Sequence, residues 1–308
     1  MILSASRRTD IPCYYGEWFM NRLREGYILT RNPMNHAQVS RIPLSPELVD
    51  CIVFWTKDAA NFLPCLDELD RMGYAYYFQH TLTPYGKELE RNLRSKSEIE
   101  DTFIALSQRL SRNRVVWRYD PIILNQDIGI DYHRSEFRRM CEKLSRYTDT
   151  VTISFVDLYA KLHTPLIRKI QPEEMIELAT VLGEIATSYG LRPVACCESM
   201  DLTPYGIQKS NCIDGNRIEK ILGCRLLGKP DKNQRTGCGC WESVDIGTYN
   251  TCSNDCVYCY ANLNDTVLQK NCARYDPSSA LLCDTLVPGD NLRHRAVTSL
   301  RDGQCSLF

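Results

Sequence analysis

The sequence contains no apolar run as long as the roughly 18 residues of a membrane-spanning helix. Its first residues, 1–12, lack the basic stretch followed by an apolar stretch that marks a signal peptide. We therefore expect a cytoplasmic protein without a membrane partner. An excess of charge of one sign is also missing, since the formal net charge is −1. That value argues against nucleic acid as a partner, because duplex binding normally needs a basic face.

Familiar catalytic motifs are missing as well. The chain has no evident phosphate-binding loop, dinucleotide fingerprint or serine–histidine–acid order, and no internal repeat is apparent. Cysteine, by contrast, is abundant, with 16 residues among 308. In a reducing cytoplasm, a chain of this size is expected to use cysteine for metal binding or redox chemistry and not for disulfides.

Short β-rich segments alternate with amphipathic helical segments over the first two thirds of the chain. This alternation is typical of βαβ units and a parallel sheet. The number of units favours a (β/α) barrel, complete or partial, over a doubly wound sheet. Most of these strands end in polar or charged residues, which predicts a shared polar mouth at their carboxyl ends. The predicted strands span residues 2–6, 27–30, 51–55, 74–78, 115–117, 151–155 and 193–197, and the predicted helices span 59–72, 97–112, 134–146 and 172–189.

The character of the sequence changes near residue 200. We predict a barrel body over residues 1–200 and a cysteine-rich C-terminal segment over residues 201–308. Within this segment, residues 242–249 alternate like a strand and run directly into the densest group of cysteines. The C-terminal segment is therefore predicted to supply the last strand of the barrel and a metal-binding loop.

Three cysteines follow this strand in the pattern Cys252-x3-Cys256-x2-Cys259. The spacing allows one tight loop to place three thiolates around one metal cluster, and thiolates are the ligands that iron–sulfur clusters select. Three ligands leave one iron of a [4Fe–4S] cluster open to a reactive partner. The alternative is a zinc site, in which Cys238 and Cys240 complete the set of four ligands that closed zinc sites use.

The cysteine pattern resembles the cluster motif of the radical S-adenosylmethionine (radical SAM) superfamily, with Tyr258 matching the aromatic residue common before the last cysteine. The form of the segment from Cys256 to Tyr260 is similar to that in the spore photoproduct lyase branch. Over nearly its full length, the chain more closely resembles an uncharacterised bacterial family, domain of unknown function 1848. The segments that carry this resemblance are Ser6-Arg7-Arg8-Thr9-Asp10, Phe54-Trp55-Thr56-Lys57 and the cysteine block from Cys238 to Cys259.

The radical SAM resemblance implies that S-adenosylmethionine (SAM) binds the open iron of the cluster, with Tyr258 against its adenine. Reductive cleavage would give methionine and a 5′-deoxyadenosyl radical, which abstracts a hydrogen atom from a substrate. Such an enzyme needs an electron donor such as flavodoxin or ferredoxin. In the superfamily the motif follows the first barrel strand, so a circular permutation is implied here, with strand 242–249 first and strand 2–6 second. In place of the superfamily's glycine-rich acidic motif, the second strand is followed by Arg7, Arg8 and Asp10.

A second iron–sulfur cluster or a structural metal could be held by cysteines around Cys238 and Cys240, and unligated thiols are the alternative. The other ligands would come from Cys212 or Cys224 and from Cys196 or Cys197. Some cysteines have apolar neighbours and are expected to pack as small hydrophobes, namely Cys13, Cys51, Cys65 and Cys141. No ligation is expected for those in the polar C-terminal tail, namely Cys272, Cys283 and Cys305.

Cationic groups are candidates for binding SAM or substrate, since Arg8 or Lys57 could pair with a carboxylate or a phosphate. Further polar candidates at the strand ends are Arg7, Asp10, His80, Arg118, Asp120, Asp157 and Glu198. We predict an iron–sulfur enzyme of the radical SAM type, acting on a small molecule or another substrate that the sequence does not identify. Two alternatives stay open: a repair enzyme like the nucleic-acid photoproduct lyases, and a non-catalytic iron–sulfur or zinc-binding protein.

Overall fold

The computed structural model describes residues 1–158, 164–235 and 237–303. They form an α/β structure built around one large eight-stranded sheet, with a second sheet of three strands beside it. The strands are β1 (Ile2–Ala5), β2 (Tyr27–Asn32), β3 (Asn35–Pro43), β4 (Cys51–Thr56), β5 (Tyr76–Thr81), β6 (Val115–Ile122), β7 (Thr150–Phe155), β8 (Arg192–Ala195), β9 (Gln208–Lys209), β10 (Ser243–Asp245) and β11 (Asn291–His294).

The large sheet is parallel throughout and has the strand order β10-β1-β4-β5-β6-β7-β8-β9. From β1 onward this order follows the chain, without the reversal that defines a doubly wound sheet. Strand β10 lies beside β1, with Ser243 opposite Ile2. The pairing does not establish a closed barrel, because β9 and β10 are the two edges of this sheet as far as the structure describes the chain.

The helices described are α1 (Ile11–Tyr14), α2 (Gly16–Glu25), α3 (Leu66–Arg71), α4 (Lys96–Leu110), α5 (Ile130–Leu144), α6 (Pro172–Ser188), α7 (Gly215–Leu222) and α8 (Asp265–Cys272). Short 3-10 helices occur at Ala60–Cys65 and Thr203–Tyr205. Within the described ranges, the length and apolar character needed to cross a membrane are not combined in any helix.

Three of the predicted helices are confirmed as α4, α5 and α6, with shifted ends. The prediction of one helix over residues 59–72 is wrong, because a 3-10 helix precedes α3. Pro64 lies inside that first part and has no backbone N–H to donate to an α-helical bond. Residues 27–30 are in a strand, β2, but it pairs with β3 in the small sheet and not with the large one.

The two faces of the large sheet are covered differently. Along β4, Ile52 and Phe54 belong to the main apolar core, which α2, α4, α5 and α6 cover with their buried residues. Cys51 and Val53 alternate to the opposite face, as the pleat requires. That face packs against α7 and the cysteine-rich loops around it. The fold thereby places one group of cysteines against the sheet itself.

Candidate metal centres

The loop that carries Cys252, Cys256 and Cys259 follows β10 and is held by backbone contacts with residues 89–92. The N–H of Val257 donates to the carbonyl of Leu89 at 2.9 Å, and the N–H of Asn92 donates to the carbonyl of Asn254 at 3.2 Å. The Asn92 side chain adds a bond of 2.9 Å to the carbonyl of Ser253. These bonds fix the loop against the segment that connects β5 to α4.

All three cysteines of this loop are half-buried. The N–H of Cys259 donates to the carbonyl of Cys256 at 3.0 Å, which makes the turn between them tight. Burial raises the pKa of Cys252 well above its ordinary value, and it raises that of Cys256 to about 12 against the opposing charge of Lys57. A bound cation would reverse this preference, because the thiolate is the form that binds metal.

Lys57 and Tyr258, which the sequence predicts separately, meet at one buried carboxylate. Lys57 Nζ lies 2.8 Å from Glu90 Oε1 and 2.8 Å from the Tyr258 hydroxyl, which itself donates to Glu90. Lys96 is a second ammonium partner of Glu90. Burial would raise the pKa of Glu90, but Lys57 and Lys96 outweigh it and hold the value at about 2. Burial likewise would lower the pKa of Lys57, but Glu90 and Cys256 raise it above its ordinary value.

Glu90 itself is a site residue that the sequence analysis missed. It lies on the irregular segment between β5 and α4, and it forms an isolated antiparallel bridge with Cys256. No local motif marks it. Its importance follows only from its position between two lysines and the cysteine loop.

Asp10 connects three of the segments that carry the family resemblance. Its carboxylate accepts hydrogen bonds from the backbone N–H of Cys13 at 3.1 Å and of Lys57 at 2.8 Å, and from the Asn254 side chain at 3.2 Å. Burial raises the pKa of Asp10 to about 6, although these hydrogen bonds oppose the shift. The carboxylate is thus engaged in holding the N-terminal segment, the end of β4 and the cysteine loop together.

Arg8 lies just beyond the end of β1, next to the end of β10. Its guanidinium is 3.9 Å from the carboxylate of Asp245 and 5.3 Å from the centre of the Tyr249 ring. It also donates to the carbonyl of Gly247 at 3.4 Å. Asp245, in turn, accepts from Ser6 Oγ at 2.6 Å and from the N–H of Arg7 at 3.0 Å. Arg8 and Lys57 therefore occupy different environments around the cysteine loop.

The second group of cysteines lies against the sheet face that α7 covers. The sulfurs of Cys196, Cys238 and Cys240 are all within 4.8 Å of one another, and the distance between Cys196 and Cys240 is 3.6 Å. The predicted pair Cys238 and Cys240 is thus brought together with Cys196, one of the two alternatives at 196 and 197. Three thiols at these distances are close enough to hold a metal.

Cys212 adjoins this group. Hydrogen bonds from the thiols of Cys196 and Cys240 lower the pKa of Cys212 well below its ordinary value, against the effect of burial and with the help of Arg118. Arg118 Nη1 lies 3.0 Å from Cys212 Sγ. Cys224 packs in the same apolar cluster but is outside the close group of sulfurs.

The other predicted polar residues are distributed around the strand ends. Arg118 pairs with Asp120, and Arg235 pairs with Asp157 at 2.5 Å. Glu198 accepts from Ser154 Oγ at 2.7 Å, and burial raises its pKa to about 7. His80 is not at the mouth, because it is fully buried in an edge contact with Phe103. Arg7 donates to Gln234 at 3.0 Å.

Of the cysteines expected to pack as small hydrophobes, Cys51 and Cys141 are fully buried, whereas Cys13 and Cys65 are half-buried. Cys272 lies 3.6 Å from Ser253 Oγ, next to the cysteine loop. Cys283 is buried in the main core and not in a polar tail. Cys305 lies outside the described residues.

The fold and the sites define an α/β protein with a large parallel sheet and a group of cysteines close enough to hold a metal. Residues 2–261 match a protein family described as a domain of unknown function (DUF1848), and the chain belongs to that family. A comparison with curated proteins found no match. Among solved structures, one similar chain is from Bacteroides thetaiotaomicron and is provisionally described as an α-L-fucosidase. The identity is 11%, the match covers 68% of this chain and 80% of the other, and the TM-score is 0.26, which is too low to support any argument.

Proposed function

We propose that the protein is an iron–sulfur enzyme of the radical SAM type, in which Cys252, Cys256 and Cys259 hold a [4Fe–4S] cluster. The observation that carries this proposal is the position of their loop. It follows β10, and β10 precedes β1 in a sheet that then runs in chain order. A three-cysteine loop after the first strand in such an order is the arrangement that the resemblance implies. On this proposal the sheet is a partial (β/α) barrel with its first strand moved to the C-terminal part of the chain.

The donor set fits a cluster better than a single ion. In a [4Fe–4S] cluster each thiolate binds a different iron, so the sulfurs must stand farther apart than the ligands of one ion. Among the described residues, Cys252, Cys256 and Cys259 do not form a group with all sulfurs within 4.8 Å. Cys256 and Cys259 nevertheless lie near enough to Cys252 to add to the rise of its pKa. Three cysteines on one short loop, with sulfurs spaced more widely than the ligands of one ion, support a cluster.

A reduced cluster would supply one electron to bound SAM, whose carbon–sulfur bond would then break and leave a radical for hydrogen abstraction. The chain's own residues would bind and orient the cofactor. Arg8 and Lys57 provide positive charge for its carboxylate, and Tyr258 provides an aromatic ring that Lys57 and Glu90 hold in place. The carboxylates of Asp10 and Asp245 already accept several protein hydrogen bonds. A small electron-transfer protein such as flavodoxin or ferredoxin would supply the electron, and the substrate is a small molecule or another compound that neither the sequence nor the structure identifies.

Iron and sulfide analysis after anaerobic purification and reconstitution tests the cluster assignment. We expect about four irons and four sulfides at this loop in the wild-type protein. Cys256→Ser should lose most of them, because serine replaces one thiolate ligand. Cys65→Ser is the control, since Cys65 is also half-buried but lies at the end of a 3-10 helix away from the loop. Equal iron content in Cys256→Ser and the wild type would refute the ligand assignment.

SAM binding separates an enzyme of this type from an electron carrier or a zinc protein. In equilibrium dialysis of the reconstituted protein, we expect saturable binding of SAM that Lys57→Met weakens. A reconstituted cluster that binds no SAM would leave the protein a non-catalytic iron–sulfur protein.

A further inference from the structure

Four cysteines from segments at the two ends of the strand order pack against one face of the large sheet, namely Cys196, Cys212, Cys238 and Cys240. Cys196 directly follows β8, and Cys212 follows β9, which is one edge of the sheet. Cys238 and Cys240 precede β10, which is the other edge. The chain therefore brings Cys196 together with two cysteines that are distant from it in the strand order.

The distances in this group suit a single tetrahedral ion. With zinc–sulfur bonds of about 2.3 Å, the sulfurs of a tetrahedral site lie about 3.8 Å apart. Cys196 and Cys240 are 3.6 Å apart, and Cys238 is within 4.8 Å of both. Thiolates that bind separate irons of a cluster need more room than this. The same test therefore distinguishes this group from the loop at Cys252, Cys256 and Cys259.

Cys212 packs in the same apolar cluster as these three cysteines, although its sulfur is not among those that all lie within 4.8 Å of one another. Four thiolates around one divalent cation carry excess negative charge, which needs compensation in a buried place. The buried guanidinium of Arg118 supplies it, at 3.0 Å from Cys212 Sγ.

Hydrogen bonds and packing outside the thiols hold these segments in place, as is usual around metal ligands. The carbonyl of Cys212 accepts from the Tyr77 hydroxyl and from the Gln79 side chain, both at 2.7 Å. Next to Cys240, the Trp241 ring lies between two glycines. A Cβ atom would come within 2.1 Å of the ring at Gly215 and within 1.9 Å at Gly228. Only glycine at both positions leaves room for this ring.

We propose that Cys196, Cys238 and Cys240 bind one zinc ion, with Cys212 as the fourth ligand, and that the ion joins the segments after β8 and β9 to the segment before β10. Protein ligands fill all four coordination positions of the ion, so the site is structural and cannot bind substrate at the metal. Each thiol gives up its proton when the metal binds. This inference does not depend on the proposed function, which concerns iron at a different loop.

Metal analysis of single variants tests the site. The full-length protein is purified anaerobically and its zinc and iron are measured by mass spectrometry. We expect about one zinc per wild-type chain. Cys238→Ser and Cys240→Ser should lose it while retaining the iron of the Cys252 loop. Cys224→Ser is the matched control, because Cys224 is a half-buried cysteine of the same apolar cluster outside the close group.

X-ray absorption at the zinc edge of the wild-type protein needs no variant, and it should show four sulfur neighbours at about 2.3 Å. Removal of zinc by a chelator should lower the melting temperature of the wild type and of Cys224→Ser by several degrees, and leave Cys238→Ser unchanged. Three results would each overturn the assignment. The first is that Cys238→Ser retains its zinc, and the second is that the wild-type chain takes up none. The third is that the wild type contains iron in excess of one cluster and Cys238→Ser loses that excess. The iron result at Cys256 decides the proposed function separately.

Discussion

At the scale of single residues, the buried carboxylate of Glu90 contacts several segments of the protein, although no sequence motif marks this residue. It is 1% exposed and accepts from Lys57, Lys96, Tyr258 and Thr83. A buried charge is tolerated only when it is paired and hydrogen-bonded. Through these partners, Glu90 ties the end of β4 and the start of α4 to the cysteine loop.

Removal of one of these partners of Glu90 should therefore lower the stability of the folded protein. Lys57→Met keeps much of the side-chain volume but leaves the Glu90 carboxylate with one ammonium fewer. We expect the free energy of unfolding to fall by about 3 kcal/mol. Urea denaturation of the protein measures this change.

Lys209→Met is the control for that substitution. Lys209 forms an ion pair with Asp201 at 3.5 Å, but its side chain is 77% exposed. Loss of such a pair should cost less than about 1 kcal/mol. Equal costs for the two variants would contradict the role assigned to Glu90 and Lys57.

At the scale of elements, the start of α4 matters to the site because Lys96 is its first residue. Ser95 and Glu98 form a reciprocal capping box at this end. Ser95→Ala should lower the free energy of unfolding by about 1 kcal/mol, since one backbone N–H loses its cap. Thermal denaturation of the variant checks this. Ser97→Ala, an exposed change in the same turn, should have a much smaller effect, and the reverse ranking would argue against the cap.

An element can be predicted from the sequence when the residues that specify it are neighbours in the chain. The helices α4 and α6 carry local start signals, a serine cap in one and Pro172 with two glutamates in the other, and both are predicted from the sequence. The spacing of the cysteines likewise identifies their loop. The partners of Asp10 and the bridge between Glu90 and Cys256 depend on contacts between distant segments. No local pattern in the sequence encodes such contacts.

The second group of cysteines illustrates the same limit. The sequence analysis names Cys238 and Cys240 but leaves the choice between Cys196 and Cys197 open. The structure decides it: Cys196 Sγ lies 3.6 Å from Cys240 Sγ, whereas Cys197, which has a φ of 60°, is outside the close group of sulfurs. The direction of a side chain at the end of a strand depends on the register of the whole sheet.

At the scale of the whole molecule, the main core contains two buried histidines whose protonation opposes folding. Burial lowers the pKa of both His80 and His133 to about 4. In the part of the chain that the structure describes, neither ring nitrogen of His80 has a hydrogen-bond partner. Between about pH 6.5 and pH 4 the unfolded chain binds protons that the folded protein does not, so stability is lost as the pH falls through this window.

His80→Phe should reduce this dependence without loss of a hydrogen bond. Between pH 7 and pH 5, we expect the wild-type free energy of unfolding to fall by roughly 2 kcal/mol more than that of the variant. Urea denaturation at both pH values measures the difference. His36→Gln, at an exposed position in β3, should behave as the wild type does. An unchanged pH dependence in His80→Phe would mean that His80 is not held neutral in the folded protein.

We propose that the loop at Cys252, Cys256 and Cys259 holds an iron–sulfur cluster with an open iron. The most direct test of this claim is electron paramagnetic resonance of the dithionite-reduced, anaerobically reconstituted protein, with and without SAM. We predict a signal of a reduced [4Fe–4S] cluster that changes when SAM is added and is absent in Cys256→Ser. Zinc at this loop, with no iron and no signal, would contradict the claim.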